Sequence, residues 1–230
     1  MDKTIDALVI SCQDPQLERC LQSVRSQTVP FSNIIHIDNV VPESEAFNRG
    51  AKLITAEWTM KINGDVILYP NAVETALGYI YKDTDDISIF NFGAYDAFLD
   101  TPICCFNVQK SILSSKVSYP NMLTNDSWSG KKLIRMGFKY RSLFDEGIMI
   151  CTHFEDPDDF QIFRRFYARG TKSLVRIWRE KLDKLYNDTK DSKYELAIKA
   201  LSFGEEKKHY PTSHNIDFDR KMFEEFMSRT

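Results

Sequence analysis

The sequence predicts an α/β fold with a mixed, mostly parallel central sheet flanked by helices and a helical C-terminal extension. Residues 5–11 form a short apolar stretch that is typical of a buried strand, and residues 33–38 form a second one. Between them, apolar residues recur at helical spacing from Leu17 to Val24. Strand, helix and strand within about 35 residues make a βαβ unit, which favours parallel pairing with a right-handed crossover.

The remaining elements have local signals of their own. Asp14-Pro15 predicts the start of the first helix, because an acid is a good cap and proline suits the first helical position. That helix is expected to end near Gln27-Thr28. Further helices are predicted at 44–54, 71–81 and 126–136, and further strands at 58–62 and 87–92. Beyond Phe160, apolar residues recur at three- and four-residue steps, so we expect one domain at 1–155 and a helical extension at 156–230 packed on it.

Composition excludes some classes of protein without identifying a partner. The net charge of -3 argues against a general nucleic-acid coat. Five cysteines, an odd number with no CxxC pair, argue against a disulfide framework and structural zinc. We interpret Cys104-Cys105 as two small core residues. The N-terminus lacks the apolar core of a signal peptide and no apolar run could cross a bilayer, so we expect a cytoplasmic protein, with peripheral attachment at a membrane as an option.

Polar residues at the ends of the predicted strands mark the candidate site. Ser11, Cys12 and Asp38 follow the first two strands, and ligands of parallel sheets bind at the carboxyl ends of the strands. The next strand runs into Asn63-Gly64-Asp65. A carboxylate there suits Mg²⁺ or Mn²⁺, which prefer oxygen ligands, and Gly64 lets the backbone approach a ligand closely. The alternative is an ordinary turn, since Asn-Gly and Gly-Asp are common turn residues.

The order of these motifs resembles family 2 glycosyltransferases with the GT-A fold. The resemblance covers roughly residues 4–155. It is carried by the helix Leu17–Thr28, the acid Asp38, the N-x-G step of Asn48 and Gly50, Asn63-Gly64-Asp65 in the place of D-x-D, and Asn125-Asp126 in the place of E-D, followed by Leu133, Gly137 and Lys139.

Three positions depart from the family pattern. Asn63 replaces the first acid of D-x-D, Asn125 replaces the first acid of E-D, and Asp38 is followed by Asn39 instead of a further acid. An amide oxygen carries no charge and binds a divalent cation more weakly than a carboxylate does. We therefore expect weaker metal binding than the family pattern would give.

The resemblance implies a function and a role for each residue. It implies a metal-dependent, inverting transfer of a sugar from a nucleotide-diphosphate donor to a hydroxyl of a glycan, of a lipid carrier or, less favoured, of a hydroxylated DNA base. Asp126 would be the general base that accepts the proton of the acceptor. Asp65 would bind Mn²⁺ or Mg²⁺, with His153 as a further candidate ligand. The donor contacts would be Ser11, Cys12 and Asp38 at the base and ribose, with Asn48, Gly50, Lys61 and Asn63.

Plainer interpretations stand beside these roles. Asp126 could be a helix cap, Asp38 a solvated strand end and His153 a hydrogen-bonded structural residue, while His36 shows no partner pattern. One rival function is a catalytically inactive nucleotide-sugar-binding protein, which Asn63 favours. A second is a sugar-phosphate nucleotidyltransferase, but the glycine-rich, basic phosphate loop it needs after the first strand is missing.

Two basic runs in the sequence leave an anionic acceptor as an alternative. The simpler interpretation of each is a solvated helix face. The runs consist of Lys131, Lys132, Arg135, Lys139 and Arg141 in the first, and Arg164, Arg165, Arg169, Lys172, Arg176, Arg179, Lys181 and Lys184 in the second.

Overall fold

The protein was analysed as a computed structural model, which describes residues 3–83, 86–122, 125–172, 175–210 and 215–230, without the side chains of 125–127. It divides into two compact units, Met1–Glu155 and Asp156–Thr230.

The first unit alternates strands and helices, and the second is helical. The first contains β1 (Ile5–Ser11), α1 (Leu17–Arg25), β2 (Ile34–Asp38), α2 (Glu43–Ala51), β3 (Trp58–Asn63), β4 (Val66–Leu68), α3 (Ala72–Lys82), β5 (Ile87–Asp96), β6 (Thr101–Lys110), α4 (Ile112–Lys116), α5 (Asn125–Arg135), β7 (Lys139–Ser142) and β8 (Met149–His153). The second contains α6 (Asp159–Gly170), α7 (Val175–Thr189), α8 (Ser192–Lys207) and α9 (Ile216–Met227).

The strands form one eight-stranded sheet in the order β2-β1-β3-β6-β5-β8-β4, with β7 also paired to β5. The pairs β1–β2, β1–β3, β5–β7 and β5–β8 are parallel. The pairs β3–β6, β5–β6 and β4–β8 are antiparallel. The predicted mixed, mostly parallel sheet flanked by helices is therefore confirmed.

Helices cover both faces of the sheet. All seven residues of β1 are buried, and successive side chains of a strand point to opposite faces. Ala7 and Val9 belong to a core shared with α1 and α3, whereas Leu8 and Ile10 belong to a second core with α2. Burial on both faces explains why this strand reads as a continuous apolar run.

The strand directions bring five polar residues to one edge of the sheet. β1, β2 and β3 run in the same direction. β5 runs with them, since β6 is antiparallel to both β3 and β5, and β8 is parallel to β5. Their carboxyl ends carry Ser11, Asp38, Asn63, Asp96 and His153. This is the edge at which an open α/β sheet binds ligands.

The first helix begins later than predicted. α1 starts at Leu17, so the predicted start at Pro15 with Asp14 as the cap is wrong. The side chain of Asp14 instead accepts a hydrogen bond from the backbone N–H of Cys12 at 3.1 Å. Its carbonyl accepts one from the N–H of Leu17, also at 3.1 Å. The acid therefore stabilises the loop after β1.

The β5–β6 hairpin is the largest feature that the sequence did not predict. β5 continues past the predicted end at 92 to Asp96, and no strand was predicted at β6. Cys104 and Cys105 are both exposed, so their assignment to the core is wrong. Phe92 pairs with Phe106 but Gly93 pairs with Cys104, which leaves Cys105 as the extra residue of a β-bulge.

The second unit packs around aromatic side chains. Phe163, Phe166 and Tyr167 of α6 are buried, as are Phe203 of α8 and Phe226 of α9. A capping box at Asp158 and Gln161 begins α6. Throughout the ranges that the structure describes, no helix is both long and apolar enough to cross a membrane.

Candidate functional site

The first part of the candidate site is a hydrogen-bonded chain of three side chains at the ends of β1 and β2. Ser11 Oγ donates to Asp38 Oδ1 at 2.5 Å. His36 Nε2 lies 2.8 Å from Ser11 Oγ. Because the hydroxyl has a single proton, His36 must donate to it. Ser11 is buried, whereas His36 and Asp38 are exposed, so these two side chains can contact a ligand at this edge.

The second part of the candidate site is a close contact between Asp14 and Gly64. A Cβ at Gly64 would lie 2.7 Å from Asp14 Oδ2 and 3.0 Å from Asp14 Cβ. The glycine thus makes room for an acidic side chain, whereas the sequence suggested room for phosphates. Burial, followed by the charges of Asp65 and Asp14, raises the pKa of the nearby Cys20 thiol to about 12. Two carboxylates therefore converge on this loop.

The third part is a histidine between two carboxylates. His153 Nε2 lies 3.3 Å from Asp65 Oδ2, and His153 Nδ1 lies 3.3 Å from Asp96 Oδ2. Asp96 is fully buried, and its Oδ1 accepts the backbone N–H of Leu99 at 2.9 Å. The carboxylate of Asp96 therefore fixes the imidazole ring, and Nε2 faces Asp65. The structure brings the predicted residues Asp65 and His153 together.

Lys61 of β3 lies beside two aromatic rings, those of Phe47 and Tyr119. Its Nζ lies 2.5 Å from the hydroxyl of Tyr119 and 5.6 Å from the ring centroid of Phe47. The two rings stack with centroids 4.8 Å apart. Asn48 holds Tyr119 in place, since its Nδ2 donates to the carbonyl of Tyr119 at 3.0 Å and its Oδ1 accepts the N–H of Tyr119 at 2.9 Å. Asn48 thus acts on the site through Tyr119 and Lys61.

Gly50 serves packing. A Cβ at Gly50 would lie 2.2 Å from Leu8 Cδ1, so glycine is required for α2 to approach β1. It was predicted as a donor contact, but the structure places it in the buried helix–strand contact. Cys12, the remaining predicted contact, is half-buried after β1.

A pocket of about 160 Å³ lies beside Lys61 and His153. β3 pairs with β6 only from Trp58 to Met60, and the pocket opens beyond that point, where the two strands separate. It is lined by Phe47, Lys61, Asn63, Val66, Cys105, Phe106, Asn107 and His153.

Asp126, the predicted general base, belongs to the first turn of α5. Its side chain lies outside the described residues, as does that of Asn125. Its role therefore stays a prediction.

The chemistry of the Asp65–His153 pair fits a divalent transition metal. Carboxylate and imidazole are both ligands of Mn²⁺, and a carboxylate on the far nitrogen of a ligating histidine is a common supporting arrangement. Within the described side chains, no group of three or more His, Cys, Asp or Glu residues could hold a metal ion. The described residues offer two such ligands here, so further ligands would have to come from water or a bound molecule.

Both predicted basic runs are partly neutralised. Ion pairs join Lys139 to Asp86, Arg141 to Asp83 and Glu146, Arg176 to Glu180, and Arg179 to Glu205. These pairs favour the simpler interpretation, in which the runs are solvated surfaces.

Comparison with known proteins identifies the fold. No protein-family model and no curated protein sequence matches the chain. Among solved structures, the mannosyltransferase PcManGT from Pyrobaculum calidifontis, in complex with GDP-Man and Mn²⁺, matches with a TM-score of 0.56. The match covers 87% of this chain and 69% of that one at 13% identity. The chain has the GT-A fold.

Two weaker matches fall below a TM-score of 0.5. Glucosyl-3-phosphoglycerate synthase from Mycobacterium tuberculosis, with Mn²⁺, UDP and phosphoglyceric acid, matches 67% of this chain and 72% of its own at 12% identity, with a TM-score of 0.46. CMP:2-keto-3-deoxy-manno-octonic acid synthetase, complexed with CTP, matches 60% of this chain and 88% of its own at 8% identity, with a TM-score of 0.41. At 13% identity the likeness to PcManGT shows the fold alone, and the activity must be argued from the site.

Sequence reasoning missed several residues of the site. Asp96 was hidden because the predicted strand stopped at 92; a longer strand would have placed an acid at its end, as for Asp38. The sequence carries one signal for His36, which is its outward position in an alternating strand. It carries no signal for the contact of Asn48 with Tyr119, since these residues lie far apart in the chain.

Proposed function

We propose that the chain is a glycosyltransferase that moves a sugar from a nucleotide-diphosphate donor to an acceptor hydroxyl, with Mn²⁺ or Mg²⁺ and inversion at the anomeric carbon. The observation that carries the proposal is the Asp65–His153 pair. It lies at the carboxyl edge of a GT-A sheet, its imidazole is held by the buried Asp96, and it borders a pocket. PcManGT, which shares the fold, was solved with GDP-Man and Mn²⁺.

Different residues of the site would bind different parts of the donor. His36 and Asp38 are exposed beside Ser11 and would hydrogen-bond the nucleoside. Asp65 and His153 would hold the metal at the diphosphate. A bound Mn²⁺ or Mg²⁺ would neutralise the charge that develops on the departing diphosphate. Lys61, held by Tyr119 at the pocket, would add a fixed positive charge there.

The proposed transfer is a single displacement. The acceptor oxygen forms a bond to the anomeric carbon while the bond between that carbon and the diphosphate oxygen breaks. The electron pair of the broken bond leaves with the nucleoside diphosphate, and the acceptor proton passes to a base, for which Asp126 is our candidate. A single attack from the far side inverts the anomeric carbon. The acceptor would be a glycan or a lipid carrier, because the paired basic runs give less support to DNA.

The test is donor turnover with purified protein. UDP-, GDP-, TDP- and CMP-sugars are supplied with Mn²⁺, Mg²⁺ or EDTA, and free nucleotide is measured. We expect release from one donor that requires the metal and is abolished in Asp65→Ala. Release by Asp126→Asn at the wild-type rate with an acceptor present would remove Asp126 from the mechanism.

One observation favours an inactive nucleotide-sugar-binding protein. Asn63 stands where the family has an acid, so the site has one charged metal ligand fewer. The same assay separates the two functions, because an inactive protein would bind a donor with metal and release no nucleotide with any acceptor. A parallel reaction with nucleoside triphosphate and sugar 1-phosphate tests the nucleotidyltransferase, which would release pyrophosphate.

A further inference from the structure

Two asparagines, Asn91 of β5 and Asn107 of β6, connect the interior of the sheet to the pocket beside Lys61. They are directly opposite each other in the antiparallel register, so their side chains share one face. Asn91 Nδ2 donates to Asn107 Oδ1 at 2.9 Å. Asn107 lines the pocket, whereas Asn91 is buried behind it.

The contacts of Asn91 fix the orientation of both amides. The thiol of Cys104 lies 2.6 Å from Asn91 Oδ1, and Asn91 Nδ2 lies 3.4 Å from the carbonyl of Phe106. A carbonyl only accepts hydrogen bonds, so the atom that faces it must be the amide nitrogen. Asn107 Oδ1 is then occupied by Asn91, and Asn107 Nδ2 is left as a hydrogen-bond donor. In the described part of the chain, no group accepts a hydrogen bond from it.

The pocket has the size and polarity of a site for a single sugar ring. An apolar cavity of about 150 Å³ binds one benzene molecule, so the 160 Å³ here gives room for one ring rather than a nucleotide. Benzene-binding cavities are lined by hydrocarbon, whereas this one presents Lys61, Asn63, Asn107 and His153. A neutral amide donor suits a sugar oxygen better than a phosphate.

The local backbone supports a positioning role. The bulge at Cys105 shifts the β5–β6 register two residues from Asn107. Bulges recur beside active sites, where they re-aim side chains. Asn91 is buried, and a buried amide is tolerated when it is hydrogen-bonded, so its bond to Asn107 is part of what keeps it there.

We propose that Asn107 donates a hydrogen bond from Nδ2 to an oxygen of the sugar carried by the donor, and that Asn91 is the positioning residue that orients it. The inference rests on the proposed function and adds the residue that recognises the sugar.

The experiment compares the affinities for a nucleotide sugar and for the same nucleoside diphosphate without the sugar. Calorimetry with Mn²⁺ uses whichever of UDP-glucose, UDP-N-acetylglucosamine, GDP-mannose and TDP-glucose the wild-type protein binds, with UDP, GDP or TDP as its partner. In Asn107→Ala the nucleotide sugar should bind about tenfold more weakly, as expected for one lost hydrogen bond, while the diphosphate binds as before. Asn91→Val should lower the ratio of the affinity for the nucleotide sugar to the affinity for the diphosphate, as Asn107→Ala does.

Two further variants separate recognition from folding. The pair Asn91→Val and Asn107→Val removes both partners of a buried bond, which disturbs folding less than removing one, and should show the same selective loss. Gln109→Ala removes a buried amide from the same face of β6 outside the pocket and should leave the ratio unchanged.

The outcomes distinguish the two proposals. Equal weakening of both ligands by Asn107→Ala, or no weakening of either, overturns the role of Asn107 and leaves the glycosyltransferase proposal standing. A wild-type protein that binds no nucleotide sugar at all overturns both.

Discussion

His153 Nε2 lies 3.3 Å from Asp65 Oδ2, although Asp65 precedes β4 and His153 ends β8, far along the chain. Val66 of β4 pairs with His153 of β8, so the residue before β4 is brought to the end of β8. Asp96, at the end of β5, closes the other side of the imidazole at 3.3 Å. Asp65 before β4 and the ends of β5 and β8 therefore build the unit that we propose as the metal site.

This unit predicts how metal affinity responds to mutation. His153→Ala removes one of the two side chains that we propose as metal ligands, so Mn²⁺-dependent binding of a nucleoside diphosphate should be lost. Asp96→Asn removes only the support of the imidazole and should lower the Mn²⁺ affinity about 10- to 100-fold. Titration of Mn²⁺ by calorimetry in the presence of the nucleotide measures both.

Asp183→Asn is the control, because Asp183 is an exposed acid of α7. Nucleotide binding that remains as dependent on Mn²⁺ in His153→Ala as in the wild type would contradict the assignment of His153.

The sequence was informative where function depends on residues that follow a strand directly. Asp38 and Asp65 could be placed at the sheet edge, because strand ends and turns leave local signals. The parallel α/β sheet followed from the βαβ pattern, and the GT-A fold followed from the resemblance that the motif order carries. Asp14 was misread as a helix cap, since capping and loop-bridging acids look alike in sequence. Asn107 could not be found, because its partner and its pocket come from the β5–β6 register.

Asn48 should matter for both stability and diphosphate binding. Its two hydrogen bonds to the backbone of Tyr119 would be lost in Asn48→Ala, at a cost of about 2–3 kcal/mol in the free energy of unfolding. Diphosphate affinity should fall as well, because Tyr119 positions Lys61. Urea denaturation and calorimetry measure the two effects. Asn71→Ala is the matched control, since Asn71 makes no side-chain cap bond at α3 and is exposed.

Gly64 and Gly78 should respond to alanine in opposite directions. At Gly64 the new Cβ would lie 2.7 Å from Asp14 Oδ2, a carboxylate that the N–H of Cys12 holds in place. Gly64→Ala should therefore destabilise the protein by about 1–3 kcal/mol. Gly78 lies within α3 with nothing inside 4 Å of its Cβ position, so Gly78→Ala should stabilise by about 0.5–1 kcal/mol. Equal shifts in thermal unfolding would contradict the close approach of Asp14.

The second unit should depend on two glycines where α6 crosses α8. A Cβ at Gly204 would lie 2.3 Å from the carbonyl oxygen of Tyr167, and one at Gly170 would lie 2.2 Å from that of Leu201. Backbone cannot move aside as a side chain can, so Gly204→Ala must push the helices apart. We expect faster hydrogen exchange in α6 and α8, measured by mass spectrometry, and unchanged exchange in β1. Wild-type exchange in both helices would show that the crossing tolerates a methyl group.

Asp219 should make the second unit lose stability as the pH rises. Burial raises the pKa of this carboxyl from its ordinary value of 3.8 to about 6, although Arg164 at 3.4 Å and the hydroxyl of Tyr210 oppose the rise. The folded state therefore keeps a proton that the unfolded chain has released between these two pH values. Stability from this group is fully present below pH 3.8 and is lost as the pH rises through about 6, by an amount on the order of 3 kcal/mol.

Asn cannot ionise, so Asp219→Asn should remove this downward slope of unfolding free energy between about pH 4 and pH 6. Urea denaturation at half-unit pH steps measures the slope, and Asp183→Asn should retain it because Asp183 is exposed. Other carboxyls with lowered pKa values, such as Glu225 beside Lys207, give a slope of the opposite sign, so only the difference between variant and wild type isolates Asp219. An identical pH dependence in the two proteins would mean that Asp219 titrates alike in the folded and unfolded chain.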